Sequence, residues 1–368
     1  MKRTPRGRAV PLAVHGGPDG TPEAERDVRV DFSVSLNAYG AAPAVRHALR
    51  TTAAGRRWED YPDPSSTLAR RAVALRWNCD AASVTLGAGA ADLIAATAHA
   101  LAAPGDVVLV PRYGFAEYER SAHMVGARVM RVGARTTSLA TLGHGAAVDD
   151  WCDSVRRNRP ALVCVCSPGN PAGRAWTRDE LGGLAQCCAR TGAVLLVDQA
   201  YDAFTAAPFE GPALRTHASV VHIMSLTKSH ALAGVRVAVA HAGPRIIAAL
   251  GAVRPPWPVS AFTQDAVVAC MRDDAHAHVT RTTRLLRRNA AHLAGELAAL
   301  GIATAPTATH ILLARVQNGA AVRSALLARH QLRVRDCASF GLAPFIRIAA
   351  RRPVDNAALI AALRNIEP

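Results

Sequence analysis

Ser225-Leu226-Thr227-Lys228-Ser229-His230-Ala231-Leu232-Ala233-Gly234-Val235-Arg236 holds one of only two lysines in a 368-residue chain with 43 Lys plus Arg; the other is Lys2. Arginine serves here wherever a generic cation suffices, so a retained internal lysine points to chemistry that arginine cannot perform. A guanidinium stays protonated and is a poor nucleophile, whereas an amine can lose its proton and form an imine with a carbonyl. Lys228 is therefore read as a candidate imine-forming residue, against the alternative of a leftover surface lysine.

Outward from this segment, short β-rich runs alternate with helical stretches. The runs are Val84-Thr85-Leu86, Val107 to Val110, Arg128 to Val132, Ala161 to Cys166, Val194 to Val197, Val220 to Met224 and Val235 to Ala240. Most are continuously apolar, the mark of strands covered on both faces in a mostly parallel sheet. Helices are expected at Ala91 to Ala102, Tyr118 to Val125 and Arg178 to Arg190, the last capped by Thr177. After Arg254-Pro255-Pro256-Trp257-Pro258 the pattern changes. One long helical stretch is expected from about Ala261 to Leu300. Strands follow near Ile311 to Val316, Leu332 to Arg335 and Phe345 to Ala349, with helices near Ala320 to Arg329 and Val354 to Ile366. The expected organisation is an N-terminal arm (1–45), an α/β large domain (46–255) and a smaller α+β domain (256–368).

In an open α/β sheet, ligands sit beyond the carboxyl ends of the strands. Successive strand ends here carry Gly87-Ala88-Gly89-Ala90-Ala91-Asp92, Pro111-Arg112-Tyr113, Ser167-Pro168-Gly169-Asn170-Pro171, Asp198-Gln199-Ala200-Tyr201 and Ser225-Leu226-Thr227-Lys228. Any one of these is ordinary. Together they supply an amine, a carboxylate, an amide, a phenol, an aromatic face and a turn that can cup an anion at a helix N-terminus. Pyridoxal phosphate needs that set.

At these residues the chain resembles the fold-type I pyridoxal-phosphate enzymes. It is most similar to the aminotransferase branch that holds histidinol-phosphate aminotransferase and threonine-phosphate decarboxylase. The resemblance implies an aspartate-aminotransferase-like fold, with a seven-stranded, mostly parallel sheet in the large domain. It implies that Lys228 binds the cofactor and moves protons, that Asp198 faces the pyridine nitrogen, and that Asn170 and Tyr201 bond the phenolate oxygen. Tyr113 would stack on the ring. Ser225, Arg236 and the backbone of Gly89, Ala90 and Ala91 would hold the cofactor phosphate. Tyr61, in Tyr61-Pro62-Asp63, resembles the tyrosine that such homodimers lend to the neighbouring site. Arg347 and Arg335 would bind the substrate's carboxylate and a second anion such as a phosphate ester, with His15 and Asn37 near the substrate. Gln199, Ala88, Ala38 and Thr227 depart from the usual glutamate, asparagine, proline and serine.

Other roles fit poorly. A formal charge of +15 invites a nucleic-acid reading, but the arginines are spread along the chain, aromatic content is 5%, and no nucleic-acid-binding motif stands out. Anionic substrates suit the charge better. The eight cysteines show no Cys-x-x-Cys pair and no zinc spacing, so reduced thiols and no metal are expected. No apolar run reaches the roughly 18 residues of a membrane span, and the basic N-terminus lacks a signal-peptide core. The expected setting is cytoplasmic.

His15-Gly16-Gly17 with Asp31-Phe32-Ser33, and Arg335-Asp336-Cys337 with Phe340-Gly341-Leu342, resemble the decarboxylase more than the histidinol-phosphate enzyme. The expectation is decarboxylation of a phosphorylated amino acid in the corrinoid side-arm pathway, with transamination as the alternative.

Overall fold

The computed structural model describes residue 10, residues 13–17 and residues 28–366. Twelve strands are present among them: β1 Val30–Asp31, β2 Val84–Gly87, β3 Val107–Pro111, β4 Arg128–Val132, β5 Leu162–Cys166, β6 Val194–Asp198, β7 Val220–Met224, β8 Ala238–His241, β9 Ile311–Arg315, β10 Leu332–Arg333, β11 Arg335–Asp336 and β12 Phe345–Ala349.

Seven of them form one sheet in the order β2-β8-β7-β6-β5-β3-β4. Only β8 runs antiparallel to its neighbours; every other pairing is parallel. The continuous apolar runs follow from burial on both faces. Leu162, Cys164 and Cys166 pack with Val108, Leu93 and Tyr118 on one side. Val163 and Val165 pack with Leu109, Trp151 and Leu184 on the other. β8 starts three residues later than the apolar run beginning at Val235. The reason is local: Arg236 has φ +60°, a left-handed conformation no strand residue adopts.

A second sheet, β11-β12-β9, is antiparallel. The long helical stretch is two helices, Ala261–Cys270 and Asp273–Ala299. Asp273 and Asp274 occupy the first turn of the second, where negative charge favours a fresh helix start. The first packs against the large sheet's layer through Ala266, Val267 and Cys270. The second supplies Ala290, Leu293 and Leu297 to the other core, beside Ile346 and Ile348. We place the seam between the two units within this helix. The N-terminal segment joins the second unit: β1 pairs with β10, and Phe32 is fully buried in that core. No helix of the described residues is long and apolar enough to cross a membrane.

The helix Arg178–Thr191 begins with a reciprocal cap. Thr177 Oγ1 accepts from Glu180 N at 3.2 Å, and Glu180 Oε2 accepts from Thr177 N at 2.7 Å. Thr177→Ala should lower stability by about 1 kcal/mol, read as a shifted denaturant midpoint at unchanged slope.

Candidate active site

Beyond the carboxyl ends of β2, β5, β6 and β7 lies a cavity of about 390 Å³, lined by Lys228, Asp198, Asn170, Tyr201, Ser225, Arg236, Ala90, Ala91, His15, Arg335 and Arg347 among others. Eleven residues singled out from the sequence therefore converge on one space. Asp198 ends β6, and Cys166 pairs with it across the sheet. Lys228 sits in the single helical turn Leu226–Ser229 that follows β7.

The Lys228 amine is buried, and burial pushes its pKa down to about 8. The guanidiniums of Arg347 and Arg236 push the same way, and Asp198 opposes them. Burial raises the Asp198 carboxyl, while hydrogen bonds from Tyr118 and Ala200 pull it back. Tyr118 Oη donates to Asp198 Oδ2 at 2.7 Å, and Ala200 N donates to Oδ1 at 3.0 Å. One carboxylate is thus held rigidly in a dry site, ready to face a cation.

At the opposite end, Gly89 has φ +92°, and a Cβ there would come within 2.5 Å of Arg236 Nη2. Only glycine lets that guanidinium lie against the start of the helix Ala90–Leu101. The helix N-terminus, Arg236 and Ser225 together form an anion seat. Carboxylate, amine, phenol, amide and anion seat fit pyridoxal phosphate in charge and in donor set.

Arg335 and Arg347 face each other directly in the β11–β12 register. Both are buried. Arg347 Nη1 donates to Asn170 Oδ1 at 2.6 Å and Nη2 donates to Ser33 O, which leaves Nε without a protein partner. Arg335 Nη2 donates to Ser339 Oγ at 2.6 Å and to Val14 O at 3.0 Å.

Two expectations, for Tyr113 and Asn37, need correction. Tyr113 is outside the cavity: its hydroxyl accepts from Thr136 N and donates to Thr136 O, and its ring packs with Leu142 and Phe345. Phe115 lines the cavity instead. Two residues farther along the loop, it presents a ring with no hydroxyl to satisfy. Asn37 is not a cavity residue either. Its Nδ2 donates to Ser229 O and Thr282 Oγ1, and its backbone N donates to Lys228 O at 2.9 Å. It braces the lysine turn against the helix Asp273–Ala299. Tyr61 is 79% exposed and stacks on Trp257 at 4.2 Å, away from this cavity. Tyr118 carries no signal in the sequence, because a tyrosine in a helical run reads as core and its partner Asp198 lies 80 residues away. Gln199 has a structural explanation: it accepts from Ala213 N, donates to Gly211 O and meets the buried His222 Nδ1 at 2.7 Å.

Residues 28–363 match the family model for aminotransferase class I and II. The chain is 30% identical over 350 residues to histidinol-phosphate aminotransferase 2 of Ralstonia nicotianae, covering 93% of this chain and 89% of that protein. It is 32% identical over 308 residues to the histidinol-phosphate aminotransferase of Sphingopyxis alaskensis, covering 81% and 77%. Among solved structures it resembles histidinol-phosphate aminotransferase from Sinorhizobium meliloti in complex with pyridoxal-5'-phosphate, with TM-score 0.84, 22% identity and coverage of 95% and 94%. It also resembles L-threonine-O-3-phosphate decarboxylase from Porphyromonas gingivalis, with TM-score 0.74, 22% identity and coverage of 91% and 98%.

In the cofactor-free protein, Lys228 should be ammonium below about pH 8 and a free nucleophile above it. Acylation should therefore label Lys228 with a midpoint near pH 8, and peptide mapping separates it from Lys2; a midpoint near the ordinary lysine value of about 10.4 contradicts this. Tyr118→Phe removes the hydrogen bond to Asp198 and should weaken cofactor retention by about tenfold, measured by absorbance during dialysis. Tyr113→Phe should change retention little.

Proposed function

The chain belongs to the class I and II aminotransferase family and is a pyridoxal-phosphate-dependent enzyme, and we propose that it transfers the amino group of a phosphorylated amino compound of the histidinol-phosphate type to a 2-oxo acid. The observation that carries this reading is the cross-strand pair Arg335 and Arg347 lining one cavity. A transaminase accepts two substrates in turn, and two guanidiniums suit a phosphate ester in one half-reaction and carboxylates in the other. The relatives of about 30% identity carry aminotransferase names, which favours transamination over the decarboxylation suggested by the short motifs.

When bound, the cofactor supplies a carbonyl for the substrate amine and an electron-withdrawing ring that stabilises negative charge at the substrate Cα. Lys228, its pKa lowered to about 8 by burial and the neighbouring guanidiniums, would take the proton from Cα and return it one atom away. Asp198, steadied by Tyr118, would present its carboxylate to the ring nitrogen. Asn170 and Tyr201, both on the cavity wall, would bond the ring oxygen, and Asn170 also orients Arg347. Phe115 offers the flat apolar wall, while Ser225, Arg236 and the amides of Gly89, Ala90 and Ala91 would hold the cofactor phosphate. By holding the substrate's charged groups, the arginines would fix its orientation and so which bond at Cα breaks.

Decarboxylation is the second reading. The His15-Gly16-Gly17 segment favours it, because it reaches the same cavity as the motif suggests. We also propose a homodimer. Tyr61 and Trp257 are exposed and stacked on each other, an apolar pair that a second copy would cover, and Tyr61 would reach the neighbouring cofactor phosphate.

The deciding measurement offers histidinol phosphate with 2-oxoglutarate, and threonine phosphate alone. Glutamate formation that strictly requires the oxo acid is expected. Carbon dioxide release from threonine phosphate without any oxo acid overturns the transamination reading.

A further inference from the structure

Glu117 is a buried carboxylate that the chemistry above leaves unused. It lies in the first turn of the helix Glu117–Met124 and is 6% exposed. Its Oε1 meets His15 Nε2 at 2.8 Å, and its Oε2 accepts from Arg120 Nη1 at 3.3 Å. The hydrogen bond to His15 leads the influences that hold its carboxyl below the usual range.

His15 is itself on the cavity wall, with its ring against Phe115 at 5.3 Å. The residue before it is tied down by Arg335, which donates to Val14 O. The residues after it are tied by Ser33: Gly17 N donates to Ser33 Oγ at 2.8 Å, and a Cβ on Gly16 would meet Ser33 O at 2.3 Å. Residues 14–17 therefore lie along the rim in one arrangement, with His15 next in sequence to the carbonyl that Arg335 holds. Nε2 is committed to Glu117, so Nδ1 is the ring nitrogen left for a ligand.

We propose that Glu117 is a positioning residue that acts through His15, turning the ring so that Nδ1–H joins Arg335 in donating to the substrate phosphate. The proposal rests on the phosphorylated-substrate reading above. A ring bonded to a carboxylate on one side and a phosphate on the other serves as a donor on each side. Arg347, on the far side of the register pair, is left for carboxylates. Glu117 thereby contributes to the preference for a phosphate over a plain carboxylate without touching the substrate.

The test uses the cofactor-loaded, full-length protein, with inorganic phosphate and succinate titrated separately and binding read from the cofactor absorbance. Glu117→Ala and His15→Ala should each weaken phosphate about tenfold and change succinate less than about twofold. The double variant should bind phosphate no more weakly than the worse single variant, because the two side chains act as one unit. With a phosphorylated amino substrate, KM should rise while kcat holds. If Glu117→Ala fails to fold, Glu117→Gln takes its place, and in the His15→Ala background it should have no further effect on phosphate. Unchanged phosphate affinity in the Glu117 variants, equal losses for phosphate and succinate, or effects that multiply in the double variant each overturn the proposal. If no phosphorylated amino compound is turned over while the phosphate titrations still separate the variants as stated, the functional reading fails and the role of Glu117 stands.

Discussion

An amine held in a dry cavity between two guanidiniums is the constraint on which the rest of this structure depends. Lys228 has Arg347 and Arg236 as like-charged neighbours and one opposing carboxylate, Asp198. Burial and repulsion both favour the neutral amine, which is the form that attacks a carbonyl. Keeping three cations and one acid in that relation demands rigid placement, and the fold supplies it at each point. Tyr118 and Ala200 hold Asp198, Asn170 and Ser33 hold Arg347, and Gly89 admits Arg236 beside a helix end. Asn37 then ties the lysine turn itself to the helix Asp273–Ala299.

The same helix links chemistry to the second unit of the chain. Its N-terminal half meets Asn37 through Thr282, and Asn37 in turn bonds the lysine turn; its C-terminal half builds the core under β9 and β12. β12 carries Arg347 and pairs with β11, which carries Arg335. The N-terminal segment completes this unit through β1, Phe32 and the contact of Asp31 with Arg333. Arg335 and Arg347 on one side and Lys228 on the other thus stand on different layers, joined by one helix and a short N-terminal strap.

Much of this was legible from local pattern. All seven strands of the large sheet were readable, most of them because burial on both faces writes itself as an unbroken apolar run. The strand-end rule then collected Lys228, Asp198, Asn170, Tyr201 and Ser225 into one site without any distance. Single loop positions were less legible. Tyr113 and Phe115 are both aromatic residues after β3, and composition favours neither; the Thr136 backbone captures the tyrosine hydroxyl and turns that ring away. Asn37 looks like a polar residue awaiting a ligand, yet partners 192 and 245 residues distant satisfy it. Tyr118 and Glu117 gave no signal because each derives its meaning from a residue 80 or 102 positions away.

The amino-acid sequence by itself determined the layered α/β plan, the cofactor-suited set of side chains and the singular status of Lys228. These depend on periodicity, on side-chain chemistry and on a strand's habit of delivering its last residues to one edge. Only the tertiary structure decided which aromatic faces the cavity, which polar residues are spent as braces, and that Arg335 and Arg347 stand opposite each other. Those outcomes depend on pairings across long stretches of chain, where a hydrogen bond won by one partner is lost to every other, and no local pattern records who wins.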